Sequence, residues 1–291
     1  FGMLFLMLFL YRRGEATFSG MLLATLAMMG SFGPVVALSS LSNNLNQTLA
    51  CGERVLSLLE EMPEVAERSD GETPRFEGAE LDRVSFAYRE EKILSEFSLQ
   101  IDKGKVLGIH GASGSGKSTL LKLLMRFWDV QKGAVRISGQ DVRDIQTAAL
   151  REMTSYVTQD TVLFRDTIAK NIAVAKLDAT QAEIEAAAAK ASIHDFIMSL
   201  PKGYETELGE LGDRLSGGEK QRIGLARAFL HEADFILLDE PTSNLDVLNE
   251  GIILKSLSEE KEGKTIVLVS HRQSTMSVAD CRYHMDNGRV S

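Results

Sequence analysis

The stretch KVLGIHGASGSGKSTLLKLL, residues 105–124, decides the fold. Its middle, residues 111–118, fits the spacing G-x-x-x-x-G-K-[ST]. An apolar strand-like run at 106–109 leads into it, and a helical pattern of leucines leads out. Glycines let a backbone turn tightly and aim successive N–H groups at phosphate oxygens. A helix beginning there adds the partial positive charge of its N-terminus. Gly111, Ser113, Gly114, Ser115, Gly116 and, just beyond, Thr119 are the candidate phosphate-binding positions. Lys117 supplies a point charge for the β- and γ-phosphates of a nucleotide, and Ser118 a hydroxyl ligand for Mg²⁺.

A second acidic element stands downstream, FILLDEPTSNLD at 235–246. Four apolar residues of a buried strand end in Asp239, where a carboxylate beside a phosphate loop holds Mg²⁺ directly or through water. Glu240 follows, and continued strand geometry would turn it to the other face, placed to polarise an attacking water. Asp246 also reads as the cap of the next helix. Further strand-like runs are AELDRVSFAY at 79–88, FSLQI at 97–101 and TIVLVS at 265–270, with a mostly helical pattern over 167–230. Strands alternating with helices predict an α/β domain with a mainly parallel sheet, and the early strands predict a smaller antiparallel layer.

Charge divides the chain. Arg12, Arg13 and Glu15 are the only charged residues among the first 50, whereas the whole chain carries −9. Residues 1–11 are uncharged but too short to cross a bilayer, which takes roughly 20 residues. Residues 18–38 give 21 uncharged positions rich in Leu, Met, Ala and Gly, with Pro34 inside them. These features predict the end of one transmembrane helix, a short loop and a second helix with a cytosolic extension, together covering 1–61. Val55, Leu56, Leu58 and Leu59 mark a stripe near its end. A cytosolic globular part leaves the Arg12–Arg13 loop outside, against the usual excess of positive charge inside. Residues 62–78 hold two prolines, two glycines and many charges, and predict an exposed linker before a globular domain at 79–291. The chain begins with Phe inside an apolar run, which suggests a fragment of something longer. The acidic balance argues against wrapping nucleic acid. Cys51 and Cys281 have no metal-ligand spacing and read as free thiols.

The string LSGGEKQR at 215–222 resembles the signature of the ATP-binding cassette (ABC) family. The order of elements is similar as well: phosphate loop, Gln159, signature, Asp239–Glu240, the SNLD loop at 243–246, then His271. The resemblance implies an α/β P-loop NTPase: a RecA-like core, an antiparallel β layer and a helical subdomain at about 160–232, preceded by an α-helical transmembrane segment. It implies that Tyr88 stacks on adenine and that Gln159 contacts Mg²⁺ and the attacking water. It also implies that Glu240 is the catalytic base and His271 a switch histidine at the γ-phosphate. Ser216, Gly217, Gly218 and Asp246 would meet the ATP of a second cassette, in a head-to-tail homodimer or heterodimer.

Joined to the apolar helices, the resemblance implies part of an exporter half-transporter in the inner or plasma membrane, multi-pass, with its nucleotide-binding domain in the cytoplasm. ATP and Mg²⁺ are the implied cofactors; the partners are a second half-transporter, the lipid bilayer and an unidentified solute. The stretch ETELGELG at 205–212 is similar to an exporter loop, except that Leu211 stands where exporters usually carry Arg. Parts of the second helix and the C-terminal region resemble bacterial thiol exporters, and lipid, peptide and drug cargoes stay open. The alternatives are a soluble ABC ATPase without a transport role and an importer ATPase subunit; the apolar helices favour neither.

Overall fold

The computed structural model describes residues 1–212, 215–243, 245–286 and 289–290. They form two units, Phe1–Pro63 and Glu64–Ser291.

The first unit is a pair of helices, α1 (Gly2–Arg12) and α2 (Phe18–Glu60). Thr17 caps α2 by accepting a hydrogen bond from the Gly20 N–H at 3.2 Å, and Tyr11 meets Phe18 edge-on at 6.3 Å. At 43 residues α2 is long enough to cross a bilayer and project beyond it, roughly 65 Å at 1.5 Å per residue. Thr25 and Ser31 donate their hydroxyls back to the carbonyls of Met21 and Met28, each at 2.8 Å. Such bonds hide polar groups that hydrocarbon could not satisfy. Helical assignment is unbroken across Pro34, so its missing N–H does not end the helix. The stripe of Val55, Leu56, Leu58 and Leu59 forms on α2 but lies exposed.

The second unit has two sheets. The first is antiparallel and holds β1 (Gly78–Tyr88), β2 (Glu91–Asp102), β4 (Lys132–Ile137) and β5 (Gln140–Asp141) in the order β2-β1-β4-β5. The second holds β3 (Val106–His110), β6 (Thr154–Val157), β7 (Phe235–Asp239), β8 (Thr265–Ser270), β9 (Cys281–Asp286) and β10 (Arg289–Val290). Its order is β10-β9-β3-β8-β7-β6, parallel except for the β9–β10 pair. The helices are α3 (Lys117–Leu124), α4 (Thr147–Met153), α5 (Ile168–Ala173), α6 (Gln181–Lys190), α7 (His194–Ser199), α8 (Gly217–His231) and α9 (Val247–Glu260).

Period-two alternation splits the core along the parallel sheet. Ile236, Leu238, Ile266 and Leu268 join the cluster under α5, α6, α8 and α9. Phe235, Leu237, Val267 and Val269 point the other way, into α3 and the antiparallel sheet. Strands covered on both faces read as unbroken apolar runs, which is why FILLD and TIVLVS carry no polar alternation.

Most of the expected linker is exposed, but from Glu64 onward it belongs to the second unit rather than standing apart from it. Residues 64–77 lie along the second unit as a strap. Glu72 bonds both ways with the backbone of residues 144 and 146, and the Arg68 N–H donates to Thr147 Oγ1 at 2.9 Å. Phe76 is 1% exposed and stacks on Phe235 with ring centres 4.7 Å apart. Charges and prolines gave the stretch its linker composition, but one phenylalanine anchors it.

Candidate nucleotide site

β3 ends at His110, in the middle of the parallel sheet, and the loop at 111–116 turns the chain into α3. Ligands of open α/β sheets sit at this carboxyl edge. Gly116 caps α3 with φ of 100°, a left-handed conformation that glycine adopts without strain. At Gly111 a Cβ would come within 2.2 Å of the Met285 carbonyl oxygen, so no larger residue fits.

Lys117 is 5% exposed. Its ammonium donates to the carbonyls of Gly111 at 3.0 Å and Ala112 at 2.7 Å, and to Ser115 Oγ at 3.4 Å. Burial pushes its pKa down, while Glu240 and Asp239 pull it back up. Among the described residues no ion pair reaches it, so a buried cation lies over the loop with only neutral acceptors. That suits an anionic ligand.

Asp239 ends β7 and is 5% exposed. Ser118 Oγ donates to its Oδ1 at 2.8 Å, and the Tyr156 hydroxyl to its Oδ2 at 3.0 Å. Burial pushes the Asp239 carboxyl up, and these two hydroxyls oppose that. The Ser118 and Asp239 oxygens are hard donors on one spot, the kind Mg²⁺ takes.

Glu240 departs from the expected strand geometry. The strand stops at Asp239, and Glu240 takes φ of 48° while its N–H donates to the Val269 carbonyl at 2.9 Å. This turn brings its carboxylate to His271, whose Nδ1 lies 2.8 Å from Oε2. An ionised carboxylate only accepts, so the ring N–H donates. One carboxylate oxygen is thereby held. Behind His271, Arg272 pairs with Glu250 of α9 at 2.7 Å, and Ser274 and Thr275 also donate to Glu250.

Gln159 is exposed after β6. Its carbonyl accepts from the Gln221 side chain of α8, and Gln221 accepts from Thr161 at 2.7 Å. Among the described residues its side chain makes no hydrogen bond to Ser118 or Asp239. Tyr88 is half-buried, edge-on to Phe86 at 4.8 Å and Trp128 at 5.2 Å, with its hydroxyl buried and unpartnered. Only part of its ring is open to a ligand, whereas stacking on adenine calls for a free face.

Ser216 caps α8 through a reciprocal pair with Glu219, and Gly217 and Gly218 open the helix. Asp246 caps α9, accepting from the Asn249 N–H at 2.8 Å. Arg222 of α8 donates to Asn249 Oδ1 at 2.6 Å and ties the two helix starts together. Among the described residues no hydrogen bond joins Ser216, Gly217, Gly218 or Asp246 to residues 111–119. Asn244 of the SNLD loop lies outside the described residues. Leu211 is 66% exposed with φ of 54°, and its carbonyl accepts from Lys220 at 2.8 Å.

Two residues here lie outside the motifs, Tyr156 and Glu250, and Gln221 lies inside the signature string without a role read for it. Tyr156 carries the one available signal, an aromatic with a polar tip three places before Gln159.

The family model described as ABC transporter matches residues 94–243. A probable ABC transporter ATP-binding/permease protein of Haemophilus influenzae is 56% identical over 99% of this chain and 52% of its own length. An ATP-dependent lipid A-core flippase of Syntrophus aciditrophicus is 41% identical over 87% of this chain and 43% of its own. A bacterial Atm1-family ABC exporter, solved with ATP bound, superposes with a TM-score of 0.78 at 35% identity, covering 95% of this chain and 49% of that one. The chain spans about half the length of these relatives. With the phosphate loop, the acidic strand and the capped signature helix in one fold, the chain belongs to the ABC transporter family.

Proposed function

We propose that this chain is the ATP-hydrolysing part of an ABC exporter, coupling Mg-ATP hydrolysis to the outward movement of a solute. The observation that carries the reading is the convergence of Lys117, Ser118 and Asp239 at the end of β3 and β7, with Glu240 and His271 hydrogen-bonded beside them. Lys117 and the loop N–H groups bind the phosphates. Ser118 and Asp239, with Gln159 as a third oxygen, would hold Mg²⁺, and the ion would supply positive charge against the phosphates. Glu240 accepts the proton of the attacking water with the oxygen that His271 leaves free. Ser216, Gly217, Gly218 and Asp246 serve the ATP of a second, head-to-tail cassette. Loss of the γ-phosphate then removes the contact between cassettes and opens the dimer.

The export reading, rather than a soluble ATPase, is supported by α2. It is the one helix among the described residues long and apolar enough to cross a membrane, with an 18-residue window of mean hydropathy 1.9 and none of it buried. The relatives named above are an ATP-binding/permease protein, a lipid A-core flippase and an ABC exporter, and these names point to transport. We place the protein in the cell membrane as a multi-pass subunit with the second unit in the cytoplasm.

The test is Glu240→Gln in the full-length transporter. Hydrolysis is expected to fall about a hundredfold to a thousandfold while ATP binding persists and a closed dimer accumulates. Turnover near the parent rate removes Glu240 from the base role. Extraction without detergent removes the export reading.

A further inference from the structure

Asp239 has two carboxylate oxygens and two hydroxyl donors, one on each. Ser118 is one donor, and its oxygen is also wanted by the metal. Tyr156 is the other, and it reaches Asp239 from the neighbouring strand. Parallel pairing sets Tyr156 beside Leu237, two residues before Asp239. Phe127 meets the tyrosine ring edge-on at 6.0 Å. The phenol is therefore aimed by strand register and by packing, not by a mobile loop.

An aspartate carboxylate turns within a broad torsional well, so one hydrogen bond leaves its plane loosely set. A second donor on the other oxygen fixes that plane. We propose that Tyr156 is a positioning residue for the metal-binding carboxylate, orienting Asp239 through the oxygen that Ser118 does not touch. This rests on the ATPase reading above. It adds a link: β6 carries Tyr156 and leads into Gln159 three residues later, so one strand and the loop after it hold an orienting group and a proposed metal contact. A shift of that strand turns the Asp239 carboxylate directly, without passing through the phosphate loop.

The experiment measures the affinity of the full-length transporter for a non-hydrolysable ATP analogue, once in EDTA and once with Mn²⁺. The ratio is the gain in affinity that the metal provides. Tyr156→Phe removes one oxygen atom and keeps the ring. The analogue affinity in EDTA is expected to stay within about twofold of the parent, while the metal-dependent gain shrinks about tenfold, the size of a hydrogen bond to a charged group. Phe127→Leu loosens the packing but keeps the hydroxyl, and is expected to retain the parent gain. A Tyr156→Phe gain equal to the parent's overturns the proposal. So does an equal loss in both variants, or a loss that is as large in EDTA as with Mn²⁺, since either marks packing alone. If the parent binds no analogue at all, the ATPase reading falls first and this one with it.

Discussion

The two units dispose the same kinds of side chain in opposite ways. In Phe1–Pro63 the large apolar residues face outward: Leu23 is 72% exposed and Leu26 57%. In Glu64–Ser291 their counterparts face inward, and Leu237 and Leu238 are 0% exposed. Among the described residues, every buried hydrophobic side chain comes from Phe76 onward. A leucine in water-facing surroundings lowers stability or invites association, whereas lipid receives it without cost. The difference teaches that apolar content alone is a poor guide. What separates the regions is whether apolar positions alternate with partners in the chain or lie unpartnered around a helix.

Substitutions can break or sharpen this contrast. The largest effect belongs to the site that only the second unit contains. Lys117→Ala is expected to weaken ATP binding about tenfold to a hundredfold, through loss of a buried charged donor. Nucleotide titration of the full-length protein checks it, and unchanged affinity removes Lys117 from the phosphates.

Next comes the same change in both units. Leu237→Ala is expected to lower the stability of the second unit by about 3 kcal/mol, and Leu26→Ala by less than about 0.5 kcal/mol. Thermal melts read both; equal shifts would end the distinction between the units.

A third, smaller effect concerns the charged network behind His271. Burial pushes the Glu250 carboxyl up, but hydrogen bonds from Ser274, Arg272 and Thr275 outweigh it and hold the group below the usual range. Glu250→Ala is expected to cost about 2 kcal/mol by leaving Arg272 unpaired. The sign follows from the depressed native value. The stabilisation is complete above the unfolded pKa of about 4.3 and is lost as pH falls through the native one. Melts of parent and variant should therefore converge on acidification, and a constant gap would contradict this.

The smallest prediction compares two helix caps. Thr180 caps α6 in a reciprocal box with Glu183. Thr180→Ala is expected to cost the second unit about 1 kcal/mol, and Thr17→Ala to leave that unit's melt unchanged.

Much of the fold was legible because its signals are local. The loop at 111–118 and the apolar runs of β7 and β8 each speak within a dozen residues, and the charge-free stretch of α2 within 21. The candidate site was legible where a motif names its residue, as for Lys117, Asp239 and His271. What escaped depends on contacts across the chain. Tyr156 reaches Asp239 over 83 positions, and Phe76 is buried against Phe235, far along the chain. Glu240 was named by its motif but its placement was not: its backbone turns left-handed where alternation predicted a strand, and its partner is His271.

The strap over residues 64–77 has a practical consequence for dissecting the protein. Composition would place the cut for an isolated ATPase fragment just before β1, near residue 79. That cut discards Phe76, strips the cover from Phe235 and opens a void of phenylalanine size at the root of β7, worth about 3 kcal/mol or more. A fragment starting near residue 64 keeps the cover, and limited digestion should spare the strap while leaving its edge open to the protease.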